Sequence, residues 1–212
     1  MYKFIGLAMM GVFAMMIIPG NFDTTQSENM FYGMATMVKN DSLGNEAFQQ
    51  SVHNALTDEG ENFLLELIFD DGAATIATNL TFGAICVSLA SYDNSTSIEV
   101  ATASSFDTAD QLATANCKQS ASDGGVGTAS SIATIGALQF NAGSGNVVDD
   151  DTIRSIGICQ AKSGDGDFTN CAAGGSGASA KLLAVVDVTP TTLAIGETVD
   201  ITYTFDITSD SS

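Results

Sequence analysis

The chain has 212 residues, 25 of them acidic and 6 basic, for a net charge of −19. A surface of that sign repels nucleic acid and anionic lipid, so nucleic-acid binding is excluded as a main function and membrane contact is left to the N-terminal segment. Trp is absent, and the length beyond an export segment suits one large β domain.

The chain opens on a single charge, Lys3, and an apolar run of about 15 residues from Phe4 to Ile18, closed by Pro19-Gly20. That length is at the upper end for a signal-peptide core and short for a membrane span. Residues 1–20 therefore read as a signal peptide. With no A-x-A cleavage site visible, a retained N-terminal anchor is the alternative, and a buried structural helix is a third reading. Residues 21–30 are polar and read as a flexible arm, with the folded domain occupying 31–212.

Residues 31–39 (FYGMATMVK) read as an apolar strand. Following a flexible arm, such a strand would complete a neighbour's sheet, with Phe31, Met34, Met37 and Val38 as the assembly residues. Residues 40–45 are turn-rich, and 46–53 form a second strand, with a short helix over 46–55 as the competing reading. Residues 57–69 are the best helix. Asp58 is the expected N-cap with Glu61 three residues on, and Phe63, Leu64, Leu67 and Ile68 recur at helical spacing. Gly60 in the first turn is unfavourable to that helix.

Beyond Gly72 the chain reads as β. Strands are expected over 80–90, 98–101, 111–119, 131–140 and 152–161, separated by turns rich in Gly, Asp and Asn. In 131–140, Ile132, Thr134, Gly136, Leu138 and Phe140 would share one side. A buried apolar run at 182–188 is followed by punctuation at Pro190 and Gly196, then by a faultless alternation in which Val199, Ile201, Tyr203, Phe205 and Ile207 face one way. That closing pair is the stretch on which the rest should pack. The fold class is all-β: an antiparallel β-sandwich, Ig-like or jelly-roll-like, with one short amphipathic helix.

An even set of cysteines in an exported chain favours two disulfides. Cys86–Cys117 and Cys159–Cys171 are the sequence-local pairs. Four free thiols are the alternative, and no C-x-x-C pair suggests zinc.

Candidate sites are sparse. Asp165 and Asp167 alternate in a Gly-rich loop that would direct carboxylates at a calcium-type cation, though no closing bidentate Glu follows. The competing reading is a solvated turn. Asp149–Asp151 and Asp70-Asp71 are weaker versions. His53 and Ser176 lack catalytic partners, and Asp107-Thr108-Ala109 is half of an aspartic-protease motif. Asn40, Asn79 and Asn94 head N-x-S/T sequons. Nothing marks an enzyme, and no cofactor other than calcium is suggested.

Two stretches carry a resemblance. His53-Asn54-Ala55-Leu56-Thr57-Asp58-Glu59-Gly60 and the closing pair Leu182–Asp187 with Leu193–Phe205 resemble a β-module of tail-associated structural proteins of phages and archaeal viruses. Uncharacterised exported proteins of ammonia-oxidising archaea are similar. The resemblance spans roughly 44–208 and implies a structural role without catalytic residues. The module usually lacks cysteines and a leader, and their presence here points to a secreted or cell-surface version. The expectation is an extracellular structural subunit of a surface filament, pilus or sheath, made of copies of itself. A virus-derived tail or receptor-binding module and a secreted cation- or glycan-binding domain are the alternatives.

Overall fold

Alternation in the closing stretch translates directly into burial. The computed structural model describes residues 32–69, 80–92, 95–108, 116–120, 132–143, 147, 150–162, 171–172 and 181–206, all within the unit Phe31–Thr208. In it Val199, Ile201 and Tyr203 are buried and the residues between them are half-exposed. The strands are β1 (Tyr32–Asn40), β2 (Glu46–His53), β3 (Ala55–Leu56), β4 (Leu80–Ser88), β5 (Cys117–Gln119), β6 (Ile132–Asn141), β7 (Thr152–Lys162), β8 (Leu182–Thr192) and β9 (Thr198–Asp206). The helices are α1 (Asp58–Phe69), α2 (Ser95–Glu99) and α3 (Ala103–Thr108).

The strands form two antiparallel sheets, ordered β2-β1-β9-β6 and β3-β8-β7-β4-β5. They face each other across one apolar core: Met37, Phe140, Ile201 and Tyr203 from the first sheet meet Ile85, Ile156, Ile158 and Val186 from the second. This is the expected all-β sandwich. The closing pair is central to it in an unexpected way: β8 and β9 are consecutive but lie in opposite sheets, each between two neighbours. β8 also runs through Pro190 to Thr192. Ile153 pairs with Thr191 but Ser155 with Asp187, so three β8 residues oppose one on β7 and the proline sits in that bulge.

β6 departs from the expected facing for a similar reason. Ile135 pairs with Tyr203 and Leu138 with Ile201, so Gly136 and Ala137 share one partner, Thr202. The extra residue reverses the parity, and Ile135 and Phe140 both turn inward while Ile132 is 41% exposed. Gly136 adopts φ 140°, and a Cβ there would lie 2.9 Å from the Thr202 Cα.

The central strands of the five-stranded sheet are buried on both faces, so β8 opens on an apolar run at 182–186 and β7 is buried continuously from Ser155 to Gln160. Its outer face carries Ala84, Cys86, Cys159 and Val185 under a cover of Tyr92, Ala101, Ala103 and Phe106. That cover corrects the strand expected over 98–101: Ile98 and Glu99 end α2, and Val100 and Ala101 follow as a turn and an irregular link. Ile98, Ala101 and Phe106 recur at wide spacing, and Thr102 and Ser105 cap α3 reciprocally: the Ser105 N–H donates to Thr102 Oγ1 at 3.1 Å and the Thr102 N–H to Ser105 Oγ at 2.8 Å. Two carboxylates pin the cover. Asp187 accepts the Tyr92 N–H at 2.7 Å, and Glu59 accepts the N–H groups of Ala103 at 3.1 Å and Leu182 at 3.0 Å.

The chain changes sheets between His53 and Ala55. Asn54 donates to the Tyr203 hydroxyl at 2.7 Å, in space left by Gly33, where a Cβ would fall 2.1 Å from both groups. β3 then pairs with β8, and Thr57 ends the ladder. Its N–H donates to the Leu183 carbonyl at 3.1 Å and its hydroxyl to the Leu182 carbonyl at 2.5 Å, while its Oγ1 accepts the Gly60 N–H at 3.0 Å. Thr57, not Asp58, is therefore the N-cap of α1. Gly60 is required by proximity: a Cβ there would lie 2.1 Å from the Leu183 carbonyl oxygen.

Thr57→Ala removes the cap and should cost about 1–2 kcal/mol. Gly60→Ala forces α1 off β8 and should cost about 1–3 kcal/mol. Thermal unfolding followed by circular dichroism checks both, and unchanged melting in Gly60→Ala would contradict the close approach.

Candidate functional site

The strand expected to be donated to a neighbour is already used. β1 lies between β2 and β9 and pairs with both along most of its length. Met37 is fully buried, Met34 and Val38 are half-buried, and Phe31 lies outside the described residues. To serve as a donor, β1 would have to leave two partners, one of them joined to it by a tight turn. An apolar run after a polar arm reads the same whether it completes its own sheet or another's.

The edges of the sheets are where a further strand would add. β3 has 2 residues and β5 has 3, too short to template much pairing. β6 is kinked by its bulge, and the Lys118 ammonium donates to the Gln139 carbonyl on it. β2 differs. It is 8 residues long (EAFQQSVH), mostly exposed, and has no outer neighbour among the described residues. Its pairing with β1 is regular from Phe48 to His53. It carries no lysine, arginine or proline, the residues that commonly guard an edge. That absence was visible in the sequence, but edge status was not.

The turn end of the same sheet is apolar. Leu43 in the β1–β2 turn is 85% exposed and Ile195 in the β8–β9 turn is 70% exposed. The two turns are adjacent, since a Cβ on Gly196 would sit 3.5 Å from that of Ser42. Phe48, at the same end of β2, is also exposed.

Two carboxylates hold these turns in shape. Asp41 accepts the N–H groups of Asn45 at 2.8 Å and Leu43 at 2.9 Å, and the Asn45 backbone and side-chain donors hold its carboxyl below the ordinary range. Glu197 pairs with Lys39 at 2.7 Å and accepts the Ala194 N–H at 2.9 Å, and the Lys39 ammonium foremost lowers its carboxyl likewise. Lys39 also donates to the Thr192 carbonyl at 2.8 Å, tying β1 to the end of β8. Burial pushes the Tyr203 phenol up, against the Asn54 hydrogen bond that favours its ionised form.

The cysteines pair as expected: Cys86 with Cys117 and Cys159 with Cys171. All four are buried on the covered outer face of the five-stranded sheet. Such bonds are compatible with an oxidising, extracellular setting. The calcium-type pair Asp165 and Asp167, and the sequon residues Asn79 and Asn94, lie outside the described residues. Asn40 is described: its amide nitrogen, the atom a glycan would occupy, donates to Asp200 at 2.8 Å. The acidic run ends in a turn role, with Asp150 at φ 63° and the Asp151 carbonyl accepting the Leu193 N–H at 3.1 Å. His53 is exposed at the end of β2. No helix among the described residues is long and apolar enough to cross a membrane. Comparison with protein-family models, curated proteins and solved structures finds no match.

Asp41 and Glu197 both titrate lower in the folded chain, so the native state binds fewer protons than the unfolded one as the pH falls through their range. Their contribution is complete above the ordinary carboxylate value of about 4 and is lost progressively below it. Melting temperature should fall in that acid window, and Glu197→Gln should flatten part of the fall. Tyr203 has the opposite sign: its raised value makes stability decline once pH passes about 10. Separately, each disulfide should contribute about 2–4 kcal/mol, against a usual total of about 5–15 kcal/mol. A reductant should therefore lower the melting temperature substantially, and mass spectrometry after alkylation should show that the bonds have opened.

Proposed function

We propose that the chain is an extracellular structural subunit of a surface filament, pilus or sheath, in which copies join by strand addition along β2. The observation that carries this reading is the β2 edge, which has no outer neighbour among the described residues: it is long, regular, unguarded by cation or proline, and the other described edges are short or kinked. Two β2 strands related by a two-fold axis meet antiparallel and continue the sheet from one copy into the next. The apolar turns bearing Leu43 and Ile195 form a second, separate patch. Two unlike contacts per subunit are what an open array needs, whereas a single self-complementary contact stops at a dimer.

The disulfides and the N-terminal apolar run support an exported setting, and the surface of net charge −19 suits a protein working outside the cell in salty water.

Electron microscopy of protein recovered from its native source should show regular filaments or sheets. The double variant Gln49→Lys, Ser51→Lys places like charges on the added strand at exposed positions. It should fold as the parent does but stay dispersed, and Leu43→Asp should shorten the arrays without abolishing β2 pairing. Wild-type protein that stays monomeric at high concentration, or a lysine variant that assembles unchanged, would rule out strand addition at β2.

A further inference from the structure

We infer that two copies meet at β2 in one register, centred on Gln50, which sets Phe48 of each copy against Val52 of the other. Phe48 and Val52 are then the residues that specify the contact. The inference rests on the proposed strand addition at β2 and gives it a defined partner surface: the same strand of a second copy, antiparallel and related by a two-fold axis.

The facing of β2 follows from its pairing with β1, because directly opposed residues of two strands share a face of the sheet. Val52 lies opposite Ala35 and Gln50 opposite Met37, and both β1 residues are buried in the core. Phe48 lies opposite Lys39, in step with them. Phe48, Gln50 and Val52 therefore belong to the inner face. Gln50 is anchored there: its Nε2 reaches the Met37 sulfur at 4.0 Å, and its Oε1 accepts the Thr189 N–H at 2.9 Å from the other sheet. Ser51 lies opposite Thr36 with the two hydroxyls 3.0 Å apart, and it shares the outer face with Gln49 and His53.

A two-fold axis pairs each residue with the one equally far beyond the centre. Since opposed residues share a face, the centre must fall on a residue, and the middle of β2 offers Gln49, Gln50 or Ser51. Centring on Gln49 sets Phe48 against Gln50 and brings Glu46 opposite Val52. Centring on Ser51 sets Val52 against Gln50 and leaves Phe48 opposite Asn54, where the chain has already left β2. Only centring on Gln50 pairs apolar with apolar, and it does so twice, with Gln49 opposite Ser51 twice on the outer face. Phe48 is 36% exposed and Val52 packs against the core, so an aromatic and a β-branched side chain would carry the apolar interior across the junction. Charge agrees. His53 falls opposite Ala47 and beside Glu46, so each end of the ladder joins an imidazole to a carboxylate and two carboxylates do not meet.

The test uses the full chain as two single variants at exposed outer-face positions, Gln49→Cys and Ser51→Cys. Each variant alone and an equal mixture of the two are treated with oxidised glutathione, and the links are mapped by peptide mass spectrometry. The mixture should give covalent dimers joined from position 49 of one copy to position 51 of the other, and neither variant alone should form them. A 49-to-49 link in the first variant alone, or a 51-to-51 link in the second, would overturn the register and leave strand addition at β2 standing. Wild-type assembly with no link in any sample, or a wild type that stays monomeric at high concentration, would overturn both together. Phe48→Ser should melt close to the parent but weaken self-association roughly tenfold. Association at the parent's strength would overturn the role given to Phe48.

Discussion

A Cβ on Gly60 would fall 2.1 Å from the carbonyl oxygen of Leu183, so the backbone of α1 lies directly on the backbone of β8. Thr57 makes that approach productive by donating to two successive β8 carbonyls and capping the helix with the same hydroxyl. Immediately upstream, Asn54 binds the Tyr203 hydroxyl where the chain leaves one sheet for the other. Within a few residues the segment thus touches β8 in one sheet and β9 in the other, and fixes the side of the sandwich where they meet. The stretch around 53–60 and the closing strands β8 and β9 meet here, and Asn54, Thr57 and Gly60 have structural reasons to be what they are.

The two sheets use their faces differently, and the sequence patterns follow. β9 belongs to a sheet with one buried and one half-open face, so it alternates. β7 and β8 are covered on both faces, so they do not. Among the described residues, that outer face is covered by two short helices and the segment around Tyr92. The two disulfides lie beneath this cover and add covalent links to its packing.

Most of the strands, the helix over 57–69 and both cysteine pairs were legible in the sequence, because each rests on a local signal: alternation, a cap with helical spacing, or loop length. The misreadings have tertiary causes. Ile135 and Phe140 share a face only because a bulge inserts one residue, and Pro190 stays in its strand only because a bulge receives it. The segment at 98–101 has no alternation to tell strand from helix, and its neighbour α3 is set by the reciprocal Thr102–Ser105 cap. In the sequence β1 reads as a spare strand, because apolar character shows that a strand is buried, not in whose sheet. Leu43 and Ile195 look like ordinary turn residues until the fold sets their turns side by side.

Charge and edge geometry combine into one constraint on how copies can meet. Molecules of net charge −19 repel broadly, and salt confines that repulsion to roughly 8–10 Å. Strands in a sheet sit about 4.8 Å apart, so pairing succeeds only where the facing strands themselves carry little charge. β2 meets that condition, with Glu46 at one end, His53 at the other and an uncharged run between. In the proposed assembly an acidic exterior would oppose chance association, leaving β2 and the apolar turns at Leu43 and Ile195 as the surfaces through which copies would meet.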